Sequence, residues 1–229
     1  HNSDRIYKKI IKYNLIFKMI IFEKPVSYNL DIIKKIFSYC VKNNIKIAVN
    51  YLRRYDPSSN KIKSIIDSRK LGSFKKAYVY YKKGLFNSCS HYINFFEFMF
   101  GSQLSVLNAK FIGKNSHDFK IDFILITKNN FKIFFKFIKN NSTNERIQMF
   151  FEKWNINYFT EKGRLSFKFN KKIHYIKNNY GFPFENVYEN ISHVFFNKKT
   201  FARSSIKDAL FTSILLKRIL LKTKKINYV

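Results

Sequence analysis

Met19-Ile20-Ile21-Phe22-Glu23-Lys24-Pro25 is the stretch that decides the fold. Its first four residues form a short apolar run that ends in charges and a proline, which is typical of a buried parallel strand. Open α/β sheets bind their ligands at the carboxyl ends of such strands, where Lys24 stands. Pro25 has a fixed φ and no N–H, so it stiffens the backbone that carries the lysine. The alternative is that Lys24 is a solvated loop charge in a lysine-rich chain.

Helices and strands alternate around this stretch. Residues 4–14 and 27–43 carry apolar side chains near a period of 3.6, which predicts two helices. Residues 18–22 and 45–49 are the predicted strands. Helix, strand, helix and strand joined by short links indicate a parallel sheet with crossover helices.

The pattern changes after residue 58. A helix that carries Ile62, Ile65 and Ile66 precedes a series of segments in which apolar and polar residues alternate. This alternation predicts a mainly antiparallel sheet with one face open to water or to a partner. Asn129-Asn130 is a plausible hairpin turn in this series. The predicted strands lie at about 74–82, 104–113, 119–127, 131–138, 147–155 and 164–170, and helices follow at about 185–197 and 205–222.

The chain is strongly basic. Its 44 lysines and arginines against 14 acidic residues give a formal charge of +30, which attracts polyanions and makes nucleic-acid binding an alternative to be weighed. The lysines are scattered, however, and the chain is also rich in Phe, Ile, Asn and Tyr, which A- and T-rich codons encode along with Lys. A biased genome explains this composition as a whole, so nucleic acid is not the favoured partner.

Cysteine usage and hydropathy point to a reducing compartment. Cys40 and Cys89 form neither a disulfide framework nor a metal-binding spacing. Cys89 lies two residues before His91, but a packing cysteine at a tight turn is the favoured interpretation over a nucleophilic pair. No apolar run reaches the ~18 residues of a membrane span, and no signal-peptide pattern opens the chain. We therefore expect a cytoplasmic protein.

Three segments occur in a characteristic order: Glu23-Lys24-Pro25, then Asn50-Tyr51-Leu52-Arg53-Arg54-Tyr55-Asp56-Pro57, then Asn87-Ser88-Cys89-Ser90-His91-Tyr92-Ile93-Asn94. This order resembles the glucose–fructose oxidoreductase and inositol dehydrogenase family, the Gfo/Idh/MocA-like oxidoreductases. The resemblance runs from about residue 1 to the end and takes in Glu161-Lys162-Gly163-Arg164-Leu165. It implies half of a dinucleotide-binding Rossmann domain in residues 1–57, with a parallel sheet. An α+β domain with an open antiparallel sheet would follow in residues 58–229.

The resemblance also implies an activity: hydride transfer between NAD or NADP and a sugar, a nucleotide-sugar or a cyclic polyol. Glu23, Lys24 and Pro25 would lie beside the nicotinamide, with Lys24 polarising the reacting oxygen or relaying its proton. His91 matches the active-site histidine of the family, a side chain that titrates near neutrality and suits acid/base work.

Other predicted site residues come with alternatives. Asn87 stands where many relatives have aspartate, and an amide cannot take a proton, so Lys24 and His91 would carry proton transfer alone. Arg54 could bind a carboxylate or phosphate of the substrate through a bidentate fork, or it could form an interdomain ion pair. Tyr81 either lines the substrate side or belongs to the strand surface.

The phosphate-binding fingerprint of dinucleotide enzymes does not occur. G-x-G-x-x-G belongs to the first βα unit of such domains, but this sequence has six glycines and none before Gly72. At ~30 residues for each βαβ unit, roughly 80–100 residues of a full domain would lie upstream. We expect an N-terminally truncated chain that by itself binds dinucleotides weakly and is inactive. The alternatives are a non-catalytic remnant and a polyanion-binding protein.

The late sheet is expected to take part in assembly. Neighbouring residues of a strand point to opposite faces, so Phe134 and Phe135 place an aromatic ring on each side. One face covers the core, and the other needs a partner, which predicts a homo-oligomer. The alternative is that the terminal helices cover both faces.

Overall fold

The structure, a computed structural model, describes residues 2–15, 17–101, 103–114, 118–139, 144–159, 164–169, 172–176, 184–197 and 202–223. Six helices and ten strands lie in these ranges. The helices are α1 (Asn2–Lys12), α2 (Leu30–Lys42), α3 (Pro57–Asp67), α4 (Ser90–Phe100), α5 (Phe184–Phe196) and α6 (Ile206–Lys222). The strands are β1 (Met19–Phe22), β2 (Lys46–Val49), β3 (Phe74–Tyr81), β4 (Leu104–Lys114), β5 (Phe119–Thr127), β6 (Lys132–Phe137), β7 (Arg146–Phe151), β8 (Asn155–Phe159), β9 (Arg164–Phe169) and β10 (Lys172–Ile176).

The first unit is a two-stranded parallel sheet with crossover helices, as predicted. Strands β1 and β2 pair in parallel, with Met19 opposite Lys46 and Phe22 opposite Val49. Helix α2 begins after Asn29, whose side chain accepts a hydrogen bond from the Asp31 N–H and so caps the helix. Its buried face joins the strand residues in one apolar core that includes Phe22, Val26, Ile33, Ile36, Cys40 and Val49.

The second unit is an eight-stranded sheet in the order β10-β9-β8-β7-β3-β6-β5-β4. Among the strands that the structure describes in this sheet, only the β3–β6 pair is parallel, so the predicted mainly antiparallel sheet is confirmed. The Asn129-Asn130 turn is confirmed too: Asn130 has φ 61° and its N–H donates to the Thr127 carbonyl at 2.9 Å. Residues 161–163, part of the predicted strand-turn-strand, lie outside the described residues.

Two strand predictions need correction. The single strand expected at 147–155 is two strands, β7 and β8, because the chain reverses between them. The reversal is held where the Glu152 N–H donates to the Ser73 carbonyl at 2.9 Å. Strand β10 was not predicted and pairs with β9. Across Glu152-Lys153 the apolar positions shift from odd to even residue numbers, a change of phase that the prediction of a single strand overlooked.

The two faces of this sheet differ. Phe135 points into the core, is fully buried and stacks on Phe123 with 4.3 Å between ring centroids. Phe134 points the other way, is partly buried and stacks on Tyr78 at 5.0 Å. The predicted split between neighbouring residues is thus confirmed. We call the surface formed by Tyr78, Phe134 and Phe150 the outer aromatic face.

Helix α6 contacts both units. Ile206 and Ala209, in its first turns, pack into the core of the small sheet, whereas Leu216 and Ile219, in its later turns, belong to the core of the large sheet. The Ser205 and Asp208 side chains form a capping box at its start, which satisfies free backbone N–H groups. The C-terminal helix therefore joins the units, and the domain boundary near residue 57 stays a prediction.

The described part of the chain contains no helix that is both long and apolar enough to cross a membrane.

Candidate active site

Lys24 lies directly after β1, and its Lys24–Pro25 peptide bond is cis. The Lys24 Nζ donates to the Asn87 backbone carbonyl at 2.5 Å and to Asn87 Oδ1 at 3.4 Å. Asn87 belongs to a wide helical turn at Leu85–Cys89 that leads into α4. The end of the first strand therefore contacts the start of α4, which brings together two residues 63 positions apart in the chain.

His91 lies one helical turn after Asn87, in the first turn of α4. Residues four apart in a helix share a side, so its imidazole is on the side that Lys24 approaches. The Tyr51 ring meets it edge-on, at 6.0 Å between centroids, and His91 Nδ1 is buried without a hydrogen-bond partner. Lys24, Asn87 and His91 therefore form one cluster, whose catalytic role stays a prediction.

The Asp118 carboxylate fixes the turn that carries Asn87. It accepts hydrogen bonds from the N–H groups of Phe86 and Asn87, both at 2.9 Å. Gly84 begins the turn at φ +107°, and a Cβ there would lie 2.5 Å from the Asp118 carboxyl carbon. Only glycine suits this position, because the backbone is left-handed and the carboxylate fills the space. Sequence reasoning missed Asp118, since no local pattern connects it with a turn some thirty residues earlier.

Glu145 holds the other side of the same turn. Its buried carboxylate accepts hydrogen bonds from Lys82 N, from Ser88 Oγ and, at 2.9 Å, from Tyr92 Oη. A buried carboxylate is tolerated when hydrogen bonds satisfy it. Glu145 thus connects the end of β3 with the start of α4. It was also missed, because its partners lie far from it in the sequence.

Arg54 has the role that was the alternative in the sequence, an interdomain ion pair. Its guanidinium is buried, donates from Nε to Asn94 Oδ1 at 2.7 Å and pairs with Asp208 at 2.9 Å. A further hydrogen bond runs from Asn94 Nδ2 to Thr212 Oγ1, so the turn after β2 is tied to α4 and α6. The guanidinium edge is filled by these partners rather than turned towards Lys24.

Arg53 is the arginine that faces the cluster. Its guanidinium carbon lies 4.3 Å from the ring centroid of Tyr92, the residue after His91. Its Nε is buried without a hydrogen-bond partner. The charge of Arg53 also acts on the pKa values of Lys24 and His91. The sequence analysis named Arg54 rather than Arg53, because nothing in the local pattern distinguishes two adjacent arginines.

Tyr81 does not line the site, which corrects that prediction. It is fully buried in the core, and its hydroxyl donates to the Ile121 carbonyl and accepts from the Ile121 N–H at 3.1 Å. Strand alternation turns this residue inwards. Glu23 is exposed and accepts a hydrogen bond from Asn50 Nδ2 at 2.7 Å, and Pro25 is buried.

Burial and neighbouring charges lower the pKa values of Lys24 and His91, the two candidate proton carriers. Burial lowers the pKa of Lys24 to about 8, and the charge of Arg53 adds to this effect. Glu23 and Asp118 oppose it. Burial, followed by the charges of Lys24 and Arg53, holds the pKa of His91 well below its usual range. At neutral pH, His91 is therefore a neutral hydrogen-bonding group, and Lys24 is a cation close to its titration point.

The Cys89 thiol is not a nucleophile in this environment. Burial raises its pKa well above the usual range, and the charge of Glu145 adds to that effect. The thiolate is the reactive form, so a thiol that stays protonated is inert. Among the described residues, no three histidine, cysteine or acidic side chains come together as metal ligands.

Replacing Arg54 should destabilise the fold. Arg54→Met leaves the Asp208 carboxylate and the Asn94 amide without their partner, and we expect the free energy of unfolding to fall by about 3 kcal/mol. Lys63→Met is the control, because it breaks the more exposed Lys63–Asp67 pair within α3 and should cost under about 1 kcal/mol. Urea unfolding measures both. Equal losses in the two variants would contradict the structural role of Arg54.

The proton affinities of the cluster can be measured directly. In ¹⁵N-lysine and ¹³C-histidine NMR, the signal that Lys24→Gln removes should titrate near pH 8, and the His91 imidazole should stay neutral at pH 6. Arg53→Gln should raise both pKa values, because it removes a positive charge beside both groups. A Lys24 pKa close to the usual ~10.4 would show that the ammonium is not buried in the cluster.

No family model matches the chain, and no curated protein sequence matches it. Solved structures do match the fold. The aldose–aldose oxidoreductase from Caulobacter crescentus, complexed with glycerol, superposes with a TM-score of 0.83 at 11% identity, over 97% of this chain and 74% of that one. An inositol dehydrogenase homolog from Azotobacter vinelandii, complexed with NADH and myo-inositol, gives 0.80 at 11% identity, over 99% and 75%.

A regulatory protein has the same fold. The super-repressor mutant of Gal80p from Saccharomyces cerevisiae superposes with a TM-score of 0.82 at 14% identity, over 97% of this chain and 75% of that one. At such identities the superpositions establish architecture alone. They agree with the two-sheet arrangement that the motif order implied: the chain has the fold of the Gfo/Idh/MocA-type oxidoreductases.

Proposed function

We propose that the cluster of Lys24, Asn87 and His91 is the active site of a sugar or polyol oxidoreductase that uses NAD or NADP. The observation that carries this proposal is the position of Lys24, at the carboxyl end of a parallel strand and bound to the turn before His91. Ligands bind at this end of such sheets. Support also comes from proteins of the same fold that were solved with NADH and myo-inositol or with glycerol.

The residues suit proton transfer at a substrate hydroxyl. A lysine with a pKa of about 8 can donate a hydrogen bond to that oxygen and exchange a proton near neutral pH. The neutral His91 imidazole can accept a proton or donate a hydrogen bond. The nicotinamide would supply the hydride chemistry when bound, with Glu23, Lys24 and Pro25 beside it. Asn87 holds the ammonium in position without titrating.

The sequence contains no glycine-rich turn that could bind the pyrophosphate of the cofactor. G-x-G-x-x-G is absent, and within the described residues β1 pairs only with β2. Ile21 of β1 is 52% exposed, and Leu15 and Phe17 just before it are also exposed. We infer that further strands add to the free edge of β1 and bring the glycine-rich turn. Residues 1–229 alone would then bind dinucleotides weakly.

A non-catalytic role is the second candidate. The fold is shared with a Gal80p super-repressor mutant, and Asn87 stands where the resemblance to the oxidoreductase family implies an aspartate. The charge of +30 makes polyanion binding a third candidate. Measured turnover would distinguish the oxidoreductase from the non-catalytic protein and from the polyanion-binding protein.

Cofactor binding and turnover test the oxidoreductase proposal. We expect no micromolar binding of NADH or NADPH to residues 1–229 in isothermal titration, and recovery when the upstream half of the sheet is restored. In the restored protein, Lys24→Gln should reduce kcat about 10²-fold or more, because it removes the acid/base group. Lys61→Gln is the control: it makes the same change at an exposed position of α3. Micromolar binding by residues 1–229 would refute the missing-anchor inference, and equal kcat in both variants would refute the role of Lys24.

Assembly can be tested on the outer aromatic face. We propose that a second copy of the chain covers Tyr78, Phe134 and Phe150, which are apolar yet only partly buried. Phe134→Lys should give a monomer in light scattering, because a charge cannot be buried there without a partner. Phe196→Lys, at an 80% exposed position of α5, should leave the oligomer intact. Moderate salt is required, since ionic strength screens the +30 charge beyond ~8 Å. A wild-type protein that stays monomeric at high concentration would rule the assembly out.

A further inference from the structure

Arg53 lies near the cluster of Lys24, Asn87 and His91 and has no part in the proposed proton transfer. Its guanidinium stacks on the Tyr92 ring at 4.3 Å, and its Nε is buried without a hydrogen-bond partner. Stacking engages the flat face of a guanidinium and leaves its N–H edge free to bind. A buried donor without a partner is unfavourable, so a ligand that accepts from it gains binding energy.

Lys24, the second cation beside this site, forms no salt bridge among the described residues, although the charges of Glu23 and Asp118 act on it. Lys24 Nζ donates only to the two oxygens of Asn87, both neutral, although an ammonium has three N–H donors. Asn87 binds the ammonium through neutral oxygens and adds no negative charge next to it. The charges of Lys24 and Arg53 both act on His91, whose Nδ1 has no hydrogen-bond partner, so the two cations lie near the same imidazole.

The carboxylates around the cluster are bound elsewhere. Asp118 accepts from the N–H groups of the 84–89 turn, and Glu145 accepts from Lys82 N, Ser88 and Tyr92. Glu23 accepts from Asn50. No salt bridge joins these acidic groups to Lys24 or Arg53 among the described residues. The charges of Glu145 and Asp56 nevertheless act on Arg53, and they offset part of its charge.

We propose that the substrate is a polyol or sugar that carries an oxyanion group, a carboxylate or a phosphate, and that Arg53 binds this group with Lys24 beside it. The inference rests on the proposed function, because it places the polyol in the same cluster. A guanidinium binds either oxyanion through two parallel N–H···O bonds, which fixes orientation as well as charge. The hydroxyl next to the bound group is then the one presented to Lys24 and His91.

Binding should also change His91. The charges of Lys24 and Arg53 add to burial in holding down its pKa. An oxyanion between these cations offsets their charge, so the pKa of His91 should rise when the ligand binds. A neutral polyol at the same place would leave those charges uncompensated, and His91 would titrate as in the free protein.

Isothermal titration of residues 1–229 without dinucleotide tests the proposal. The probes are myo-inositol against myo-inositol 1-phosphate, and glucose against glucuronate, so that the phosphate and carboxylate arms are separate. We expect at least one charged probe to bind 10-fold or more tighter than its neutral counterpart. Arg53→Gln should remove that preference. Arg146→Gln should keep it, because Arg146 stacks on Tyr80 of β3 and not on the Tyr92 that Arg53 covers.

Several results would overturn the proposal. These are equal binding of neutral and charged probes, equal losses in the Arg53 and Arg146 variants, binding of inorganic phosphate as tight as that of the inositol phosphate, or no binding of any charged probe. If Arg53→Gln fails to fold, Arg53→Lys retains the charge but not the fork and should weaken binding. The wild-type His91 titration by NMR is independent of all variants, and a pKa that does not rise with saturating charged probe counts against the site.

The outcome is separable from that of the proposed function. Binding at Arg53 without turnover in the restored protein would support the oxyanion site and refute hydride transfer. Turnover of neutral polyols alone, with no binding of charged probes, would do the reverse.

Discussion

The ion pair between the buried Arg54 and the partly exposed Asp208 is the interaction on which the arrangement of this protein depends. Arg54 leaves the end of β2, meets Asn94 on α4 and pairs with Asp208 at the start of α6. Thr212 of α6 continues the network to Glu97 of α4 at 2.6 Å. Hydrogen bonds and an ion pair thereby hold the end of β2, α4 and α6 together. Because α4 carries His91 and the first sheet carries Lys24, their proximity depends on this network.

One residue of this network, Glu97, has a pKa that burial shifts. Burial raises the pKa of Glu97 to about 8, above that of an exposed carboxyl group, so its neutral acid form is favoured in the folded protein. A pKa that is raised on folding adds stability below the unfolded-state value and loses it as pH rises through the folded-state value. The network therefore loses this stability progressively as the pH rises from about 4.5 to about 8, and none of the contribution is left in alkaline solution.

The few acidic residues have a common structural use. Asp118 and Glu145 hold the turn before α4, and Asp56 caps α3 by accepting from the Ser58 N–H at 2.8 Å. In each case a carboxylate satisfies a backbone N–H that would otherwise lack a partner. An asparagine at position 87, where the resemblance implies an aspartate, has a small effect on the geometry of the site. Lys24 is held chiefly by the Asn87 backbone carbonyl, which any residue supplies, so the amide changes the charge of the site more than its geometry.

The sequence by itself determined the elements whose burial follows a period. The apolar runs of β1 and β2, the turn at Asn129-Asn130 and the opposite faces of Phe134 and Phe135 were all predictable, because local backbone geometry and solvent exposure decide them. The position of Lys24 at a strand end followed from the same pattern. Its approach to His91 was only implied by the resemblance of the motifs.

Only the tertiary structure decided which polar groups meet. It paired Arg54 with Asp208, stacked Arg53 on the Tyr92 ring and turned Tyr81 inwards. It also brought Asp118 and Glu145 to the turn before α4. Arg53 and Arg54 are the same residue type and have nearly the same neighbours in the sequence. Their partners come from elements far away in the chain, and directional hydrogen bonds depend on where those elements pack. Periodicity encodes how deeply a side chain is buried, but not what it touches there.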